Sequence, residues 1–197
     1  MDQQLTLFET PKPTPPKYSL FLAAFPNSAT AHRISELAMG IRERHGLRAR
    51  VRPLNHLHVS LYFLGGCSDV SEKVVHFVDQ ICEAVAASIP AFEVRFDGVI
   101  SFQGGLGKRP LVLVNHSHGN AKLMRLHQAL DTELSKYRRR NGGNLNFNPH
   151  LTLLYDQQSI PEEPVELVSW MVDEIVLVSS EVGATKYERL GSWKLGG

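Results

Sequence analysis

The chain reads as an α+β protein with mostly antiparallel strands, and two observations predict this. Segments with the three- and four-residue apolar spacing of helices interleave with short runs rich in β-branched and aromatic residues. Several of those runs are hairpin neighbours, lacking the crossover helix that parallel strands need. A third observation narrows the class. No GxGxxG, no Walker A sequence and no GxSxG occurs, so the dinucleotide-binding, P-loop and α/β-hydrolase architectures are set aside. The 197 residues are 43% hydrophobic and 21% charged, enough for a core in one domain or two small lobes.

Residues 1–17 are set apart as a tail, because residues 11–17 (PKPTPPK) hold four of the eleven prolines and favour an extended chain. Residues 18–197 form a single folded domain. Residues 18–25 (YSLFLAAF) read as a buried strand. Ser28 or Thr30 is expected to cap a helix that stops at Gly46, with Ile34, Leu37, Ala38 and Ile41 on its apolar face. Residues 58–64 are strand-like and end at Gly65-Gly66. Ser68 or Asp69 then caps a helix to about Ser88 whose stripe includes Val78, Cys82 and Val85. Residues 91–102 alternate as a strand with a bulge expected at Gly98, and residues 111–115 form another. Asn120 opens a helix on Leu123, Leu126, Leu130, Leu134 and Tyr137, ending at Arg138-Arg139-Arg140. Residues 150–155, 170–180 and 186–195 are the remaining strands.

Charge and cysteine content exclude several classes. Lys+Arg number 21 and Asp+Glu 20, a net charge of +1, so a uniformly basic nucleic-acid coat is excluded. Two cysteines without a CxxC pair build neither a disulfide scaffold nor a zinc finger. No apolar run approaches a membrane span, and the N-terminus lacks the features of a secretory signal. The expectation is a cytoplasmic monomer with no membrane contact.

The nine histidines hold the chemistry. His32, His45 and His76 lie on helical segments without evident partners, and His127 borders an apolar stripe as a structural residue. His56-x-His58 and His116-x-His118 have the spacing of metal-binding imidazoles, but no carboxylate or thiol lies near either pair. No metal and no cofactor is expected. The strongest signal is a repeat. His58-Val59-Ser60-Leu61-Tyr62-Phe63 and His150-Leu151-Thr152-Leu153-Leu154-Tyr155 share the frame His, aliphatic, hydroxyl, Leu, apolar, aromatic. Residues i and i+2 of a strand face the same way, so each motif offers an imidazole beside a hydroxyl. Two such strands together supply a base, an acid and two donors for a phosphodiester's nonbridging oxygens.

These motifs resemble the two Hx[ST]x motifs of the 2H phosphoesterase superfamily. Residues 52–65 (RPLNHLHVSLYFLG) and 148–153 (NPHLTL) are similar to its RNA 2′,3′-cyclic phosphodiesterase branch, historically called 2′-5′ RNA ligase. The resemblance implies a bilobal, pseudo-twofold fold: two mostly antiparallel sheets with flanking helices around a central cleft. It implies hydrolysis of a terminal 2′,3′-cyclic phosphate to a 2′-phosphate, with RNA ends or small cyclic nucleotides as partners. It carries catalysis onto His58 and His150, and phosphate binding onto Ser60 and Thr152. Two-histidine acid–base catalysis is expected to give a bell-shaped pH–rate curve with both limbs near neutrality. A 2′-5′ oligonucleotide phosphodiesterase or ligase is the alternative. A non-catalytic RNA-binding or clamp-recruited module is the rival from another class.

Two departures from the family pattern stand out. Ser60 occupies a position where Thr is commoner, and Tyr155 one where many members carry Arg. A basic run compensates: Arg42, Arg44, Arg48, Arg50 and Arg52 fall within eleven residues. Arg50 and Arg52 are expected on one strand face leading to His58. Arg48, Arg50 and Arg52, with Tyr155, are candidates for RNA contact. The tail carries a separate signal. Gln4, Leu5, Thr6, Leu7 and Phe8 resemble the QLxLF motif that bacterial proteins insert into the sliding clamp, so Gln4, Leu5, Leu7 and Phe8 are candidates for that contact.

Overall fold

A computed structural model describes residues 15–105, 107–116, 119–135, 147–184 and 186–196. The tail residues Gln4, Leu5, Leu7 and Phe8, together with His118, Tyr137, Arg138, Arg139 and Arg140, lie outside the described residues. In chain order the elements are β1 (Tyr18–Ala24), α1 (Ser28–Arg44), β2 (Val59–Cys67), α2 (Glu72–Ser88), β3 (Phe92–Ser101) and β4 (Arg109–Val114). They continue with α3 (Ala121–Ser135), β5 (Leu151–Asp156), β6 (Glu163–Val172), β7 (Glu174–Glu181) and β8 (Tyr187–Lys194). The α+β class is as expected.

Local details differ from the sequence reading for identifiable reasons. Asn27, not Ser28 or Thr30, caps α1: its side chain accepts the Thr30 N–H at 2.9 Å. The helix stops where expected, with Gly46 taking a positive φ of 64°. Helix α2 starts at Glu72 behind Ser71, beyond the expected Ser68 or Asp69. Gly65 and Gly66 lie inside β2 rather than ending it, because Gly65 and Gly66 stay paired to Leu20 and Ser19. Residues 170–180 are not one strand. Asp173 divides β6 from β7, which pair with different partners, β3 and β1.

The expected two sheets are one antiparallel sheet in the order β6-β3-β4-β5-β2-β1-β7-β8. Its halves meet at a single residue pair, Val59 of β2 with Leu151 of β5. Elements are matched about that pair: β1-α1-β2 on one side, β4-α3-β5 on the other. The sheet must curl. Strands β6 and β7 are six positions apart, roughly 29 Å across a flat sheet, yet Asp173 alone joins them, a reach of about 7 Å.

The helices tie the halves together. Helix α1 packs on β5 and β6, α3 on β2, and α2 on α3 and β8. They cover one sheet face, and a single main core runs through both halves. Leu123, Leu126, Leu130 and Leu134 of α3 are buried there as the periodicity predicts, each worth about 1.5–3 kcal/mol. Cys82 is core, and burial pushes its thiol up to about 12. A second, small apolar cluster (Phe21, Ala23, Val176 and Val178, with Phe25 and Tyr187 against it) lies apart from the main core. Phe21 and Tyr187 from it form part of the cleft floor.

Candidate active site

The Val59–Leu151 pair brings the two motifs together. Both residues are fully buried. The residues flanking them, His58 and Ser60 on one strand and His150 and Thr152 on the other, therefore face away from the core. All four line one cleft of about 220 Å³. The antiparallel direction sets each motif's histidine toward the other motif's hydroxyl.

A bulge in each strand completes the arrangement. Strand β1 pairs Leu22 with Tyr62 and Ala23 with Ser60, so Leu61 is extra. Strand β4 pairs Leu111 with Leu154 and Val112 with Thr152, so Leu153 is extra. An extra residue shifts the side-chain alternation by one. The aromatic five positions after each histidine thus returns to the cleft: Phe63 and Tyr155 line it, 52% and 46% exposed. Each bulged carbonyl finds a partner outside the sheet. The Leu61 carbonyl accepts from Nδ1 of buried His127 at 2.7 Å, and the Leu153 carbonyl accepts the Arg52 backbone N–H at 2.8 Å. His127 is structural, as expected, and its ring also stacks on Phe147.

Both catalytic candidates are oriented by the same device. His58 donates from Nδ1 to the His56 carbonyl, and His150 from Nδ1 to the Asn148 carbonyl, each at 2.8 Å. In a neutral ring so bonded, Nε2 is the acceptor. The Ser60 hydroxyl lies 3.1 Å from Nε2 of His58 and donates to it. His58 stacks on Phe21, with ring centroids 5.1 Å apart, and His150 meets the edge of Phe102 at the same distance. Burial lowers His58 to about 4; its bond to the His56 carbonyl opposes this, while the charges of Arg52, His56 and His150 add to it.

The candidate RNA-binding residues separate. Arg52 and Tyr155 line the cleft, whereas Arg48 and Arg50 do not and are exposed. The stretch is not a strand, so Arg50 and Arg52 share no strand face. It is a loop pinned by Asp156, whose carboxylate accepts the Arg48 and Ala49 backbone N–H groups at 2.8 and 2.7 Å. Burial pushes that carboxyl up, but hydrogen bonds from the Gln158, Ala49 and Arg48 backbone outweigh it and hold it below the usual range.

Arg52 donates to the Tyr187 hydroxyl at 2.9 Å and to Nδ1 of His56 at 3.3 Å. Its guanidinium lies 5.6 Å from the Tyr155 ring and 5.9 Å from that of Tyr187. His56 is buried and stacks on Tyr187 at 3.9 Å, which gives it a packing role in the cleft wall. His45, for which the sequence shows no evident partner, lies 3.1 Å from Glu163, and His116 lies 2.9 Å from Glu162. Phe21 and Tyr187 escaped the sequence reading because their strands, β1 and β8, carry no motif; only the sheet order brings them to the site.

The model of the 2′-5′ RNA ligase superfamily matches residues 25–184. No curated protein matches the chain. Among solved structures, E. coli LigT in its apo form is 26% identical, with a TM-score of 0.69 over 93% of this chain and 100% of its own. TT0787 of Thermus thermophilus is 22% identical, with a TM-score of 0.72 over 91% and 98%. Usb1 of Kluyveromyces marxianus, 11% identical, shares the fold at a TM-score of 0.53 over 90% and 99%. With its two motif strands meeting in one cleft and most of its length matched by the family model, this chain belongs to the 2′-5′ RNA ligase superfamily, the 2H phosphoesterases.

Proposed function

We propose that the protein hydrolyses terminal 2′,3′-cyclic phosphates of RNA to 2′-phosphates by two-histidine acid–base catalysis. The observation that carries this is the paired geometry: two imidazoles, each fixed through Nδ1 to a carbonyl two residues back, facing one cleft with a hydroxyl beside each. One imidazole takes a proton from water as the water oxygen bonds to phosphorus. The bond from phosphorus to the 3′-oxygen breaks, and the other imidazole protonates that oxygen. Thr152 donates to a nonbridging oxygen, where charge gathers, and so does Ser60 once its hydroxyl turns from His58 Nε2 to the phosphate, which frees that nitrogen for the proton. His58 enters neutral because burial holds it near 4, which suits the proton acceptor and leaves donation to His150. Both proton transfers and the charge stabilisation come from side chains at hand, so this route needs no metal. E. coli LigT, a relative of 26% identity, has been crystallised with 3′-AMP, and a cleft for a nucleoside phosphate in this chain fits that likeness.

The test is a panel of 2′,3′-cyclic nucleotides and 2′-5′-linked dinucleotides, with and without EDTA. The expected result is metal-independent hydrolysis of the cyclic nucleotides to 2′-phosphates. His58→Ala and His150→Ala should each lose activity by about 10²–10⁴-fold. The acid limb of kcat/KM should lie near pH 4 rather than near neutrality, since it reports the base of the free protein. Near-normal turnover in either variant would refute the mechanism, and cleavage of only the 2′-5′ dinucleotides would change the substrate.

A further inference from the structure

The geometry points to Arg52 as the phosphate-binding cation of this site, supplied from the loop before β2 and held for that task by Tyr187. This rests on the phosphodiesterase reading and adds the residue that recognises the anion. The cleft needs a fixed positive charge, because a phosphodiester carries its charge at every working pH. Among the described residues lining it, Arg52 is the one that carries such a charge. The neighbouring Arg189 is engaged elsewhere, 4.6 Å from the centre of the Phe25 ring and 3.5 Å from Glu174.

Arg52 has no carboxylate partner among the described ion pairs. Its side-chain contacts are a phenol, an imidazole and two aromatic faces. The charge is therefore oriented without being neutralised. Its backbone is fixed by the bulged Leu153 carbonyl at 2.8 Å. That bulge is the same feature that sends Tyr155 into the cleft. The β5 strand thus anchors Arg52 with a carbonyl and flanks it with an aromatic ring. An arginine at position 155 and an arginine at position 52 would serve the same space, so a charge moved from one to the other should restore binding. Tyr187 acts as a positioning residue: it accepts from Arg52 at 2.9 Å while its ring is held by His56 at 3.9 Å.

The experiment measures 3′-AMP and inorganic phosphate binding by calorimetry on the full chain, a readout independent of turnover. The variants are Arg52→Gln, Arg52→Lys, Tyr187→Phe and the double variant Arg52→Gln/Tyr155→Arg, with melting temperature followed throughout. Arg52→Gln should weaken binding at least about tenfold, as loss of a charge-assisted pair does, with the fold intact. Tyr187→Phe should lose a smaller part of that affinity. Arg52→Lys should recover only part, since it lacks the planar fork. The double variant should bind 3′-AMP within about threefold of the wild type, roughly 0.6 kcal/mol. Unchanged affinity in Arg52→Gln overturns the assignment. So does a loss that merely follows a fall in melting temperature and is not restored by the double variant. A wild type that binds neither probe overturns it as well. A wild type that binds 3′-AMP through Arg52 but hydrolyses no cyclic nucleotide leaves the assignment standing and sinks the hydrolase reading instead.

Discussion

At the residue scale the cleft stores a cost in His58. Its imidazole is pressed against Phe21 and lies near Arg52, so protonation in the folded state is disfavoured and its pKa falls to about 4. The unfolded chain keeps the ordinary value of about 6.5. Above pH 6.5 both states are neutral there and the residue has no effect on stability. As pH falls below 6.5 the unfolded state takes up the proton first, so stability declines until the folded value is passed. The expected loss is about 2 kcal/mol by pH 5 and at most about 3 kcal/mol in all. Urea midpoints at pH 7 and pH 5 should therefore diverge more in the wild type than in His58→Gln. Parallel shifts in the two proteins would show that His58 is not the titrating group. The identity of the two histidines and two hydroxyls was legible from the repeat alone. The depressed basicity was not, because the rings that desolvate His58 come from β1 and β8, far from it in sequence.

At the element scale the site is the product of two bulges. The sequence frame contained their trace: Leu61-Tyr62 and Leu153-Leu154 are consecutive apolar pairs that interrupt a period-two pattern. Read as plain strands, they leave the last aromatic of each frame on the core side. With the bulges, Phe63 and Tyr155 face the cleft. The helices were legible because their stripes are long and regular, as in α3. The loop carrying Arg50 and Arg52 was misread as a strand because short alternation does not distinguish a strand from an extended segment pinned by Asp156. The bulge carbonyls supply a direct test. His127 satisfies the Leu61 carbonyl from the buried face of α3. His127→Leu keeps most of the apolar bulk but orphans that acceptor, and should destabilise by about 1–3 kcal/mol. Turnover by the proposed route should fall too, since the bulge turns Phe63 into the cleft. Unchanged melting temperature and activity would show that the bulge holds without this partner.

At the scale of the whole molecule, the described end of the tail, Pro16 and Lys17, sits at the start of β1, and the cleft residue of that strand, Phe21, lies further along it. Lys17 donates its N–H to the Cys67 carbonyl and accepts from the Val182 N–H, and Pro16 packs on Gly66. The strand reaches the cleft at Phe21, paired with Phe63, and runs on to Ala23 and Ala24 beside Ser60 and Val59. The four residue steps from Lys17 to Phe21 put roughly 13 Å between the two points at about 3.3 Å per residue. A tether that leaves from the start of β1 is set off from the cleft by that distance. Removing residues 1–15 should therefore leave kcat/KM on a 2′,3′-cyclic nucleotide within about twofold, a change under about 0.5 kcal/mol. A fluorescent peptide of residues 1–12 should at the same time bind a purified bacterial sliding clamp, with a Kd on the order of tens of micromolar. Loss of small-substrate turnover on truncation would place the tail in the catalytic unit. Retained turnover without saturable clamp binding would leave the separation intact and remove the clamp as the tail's partner.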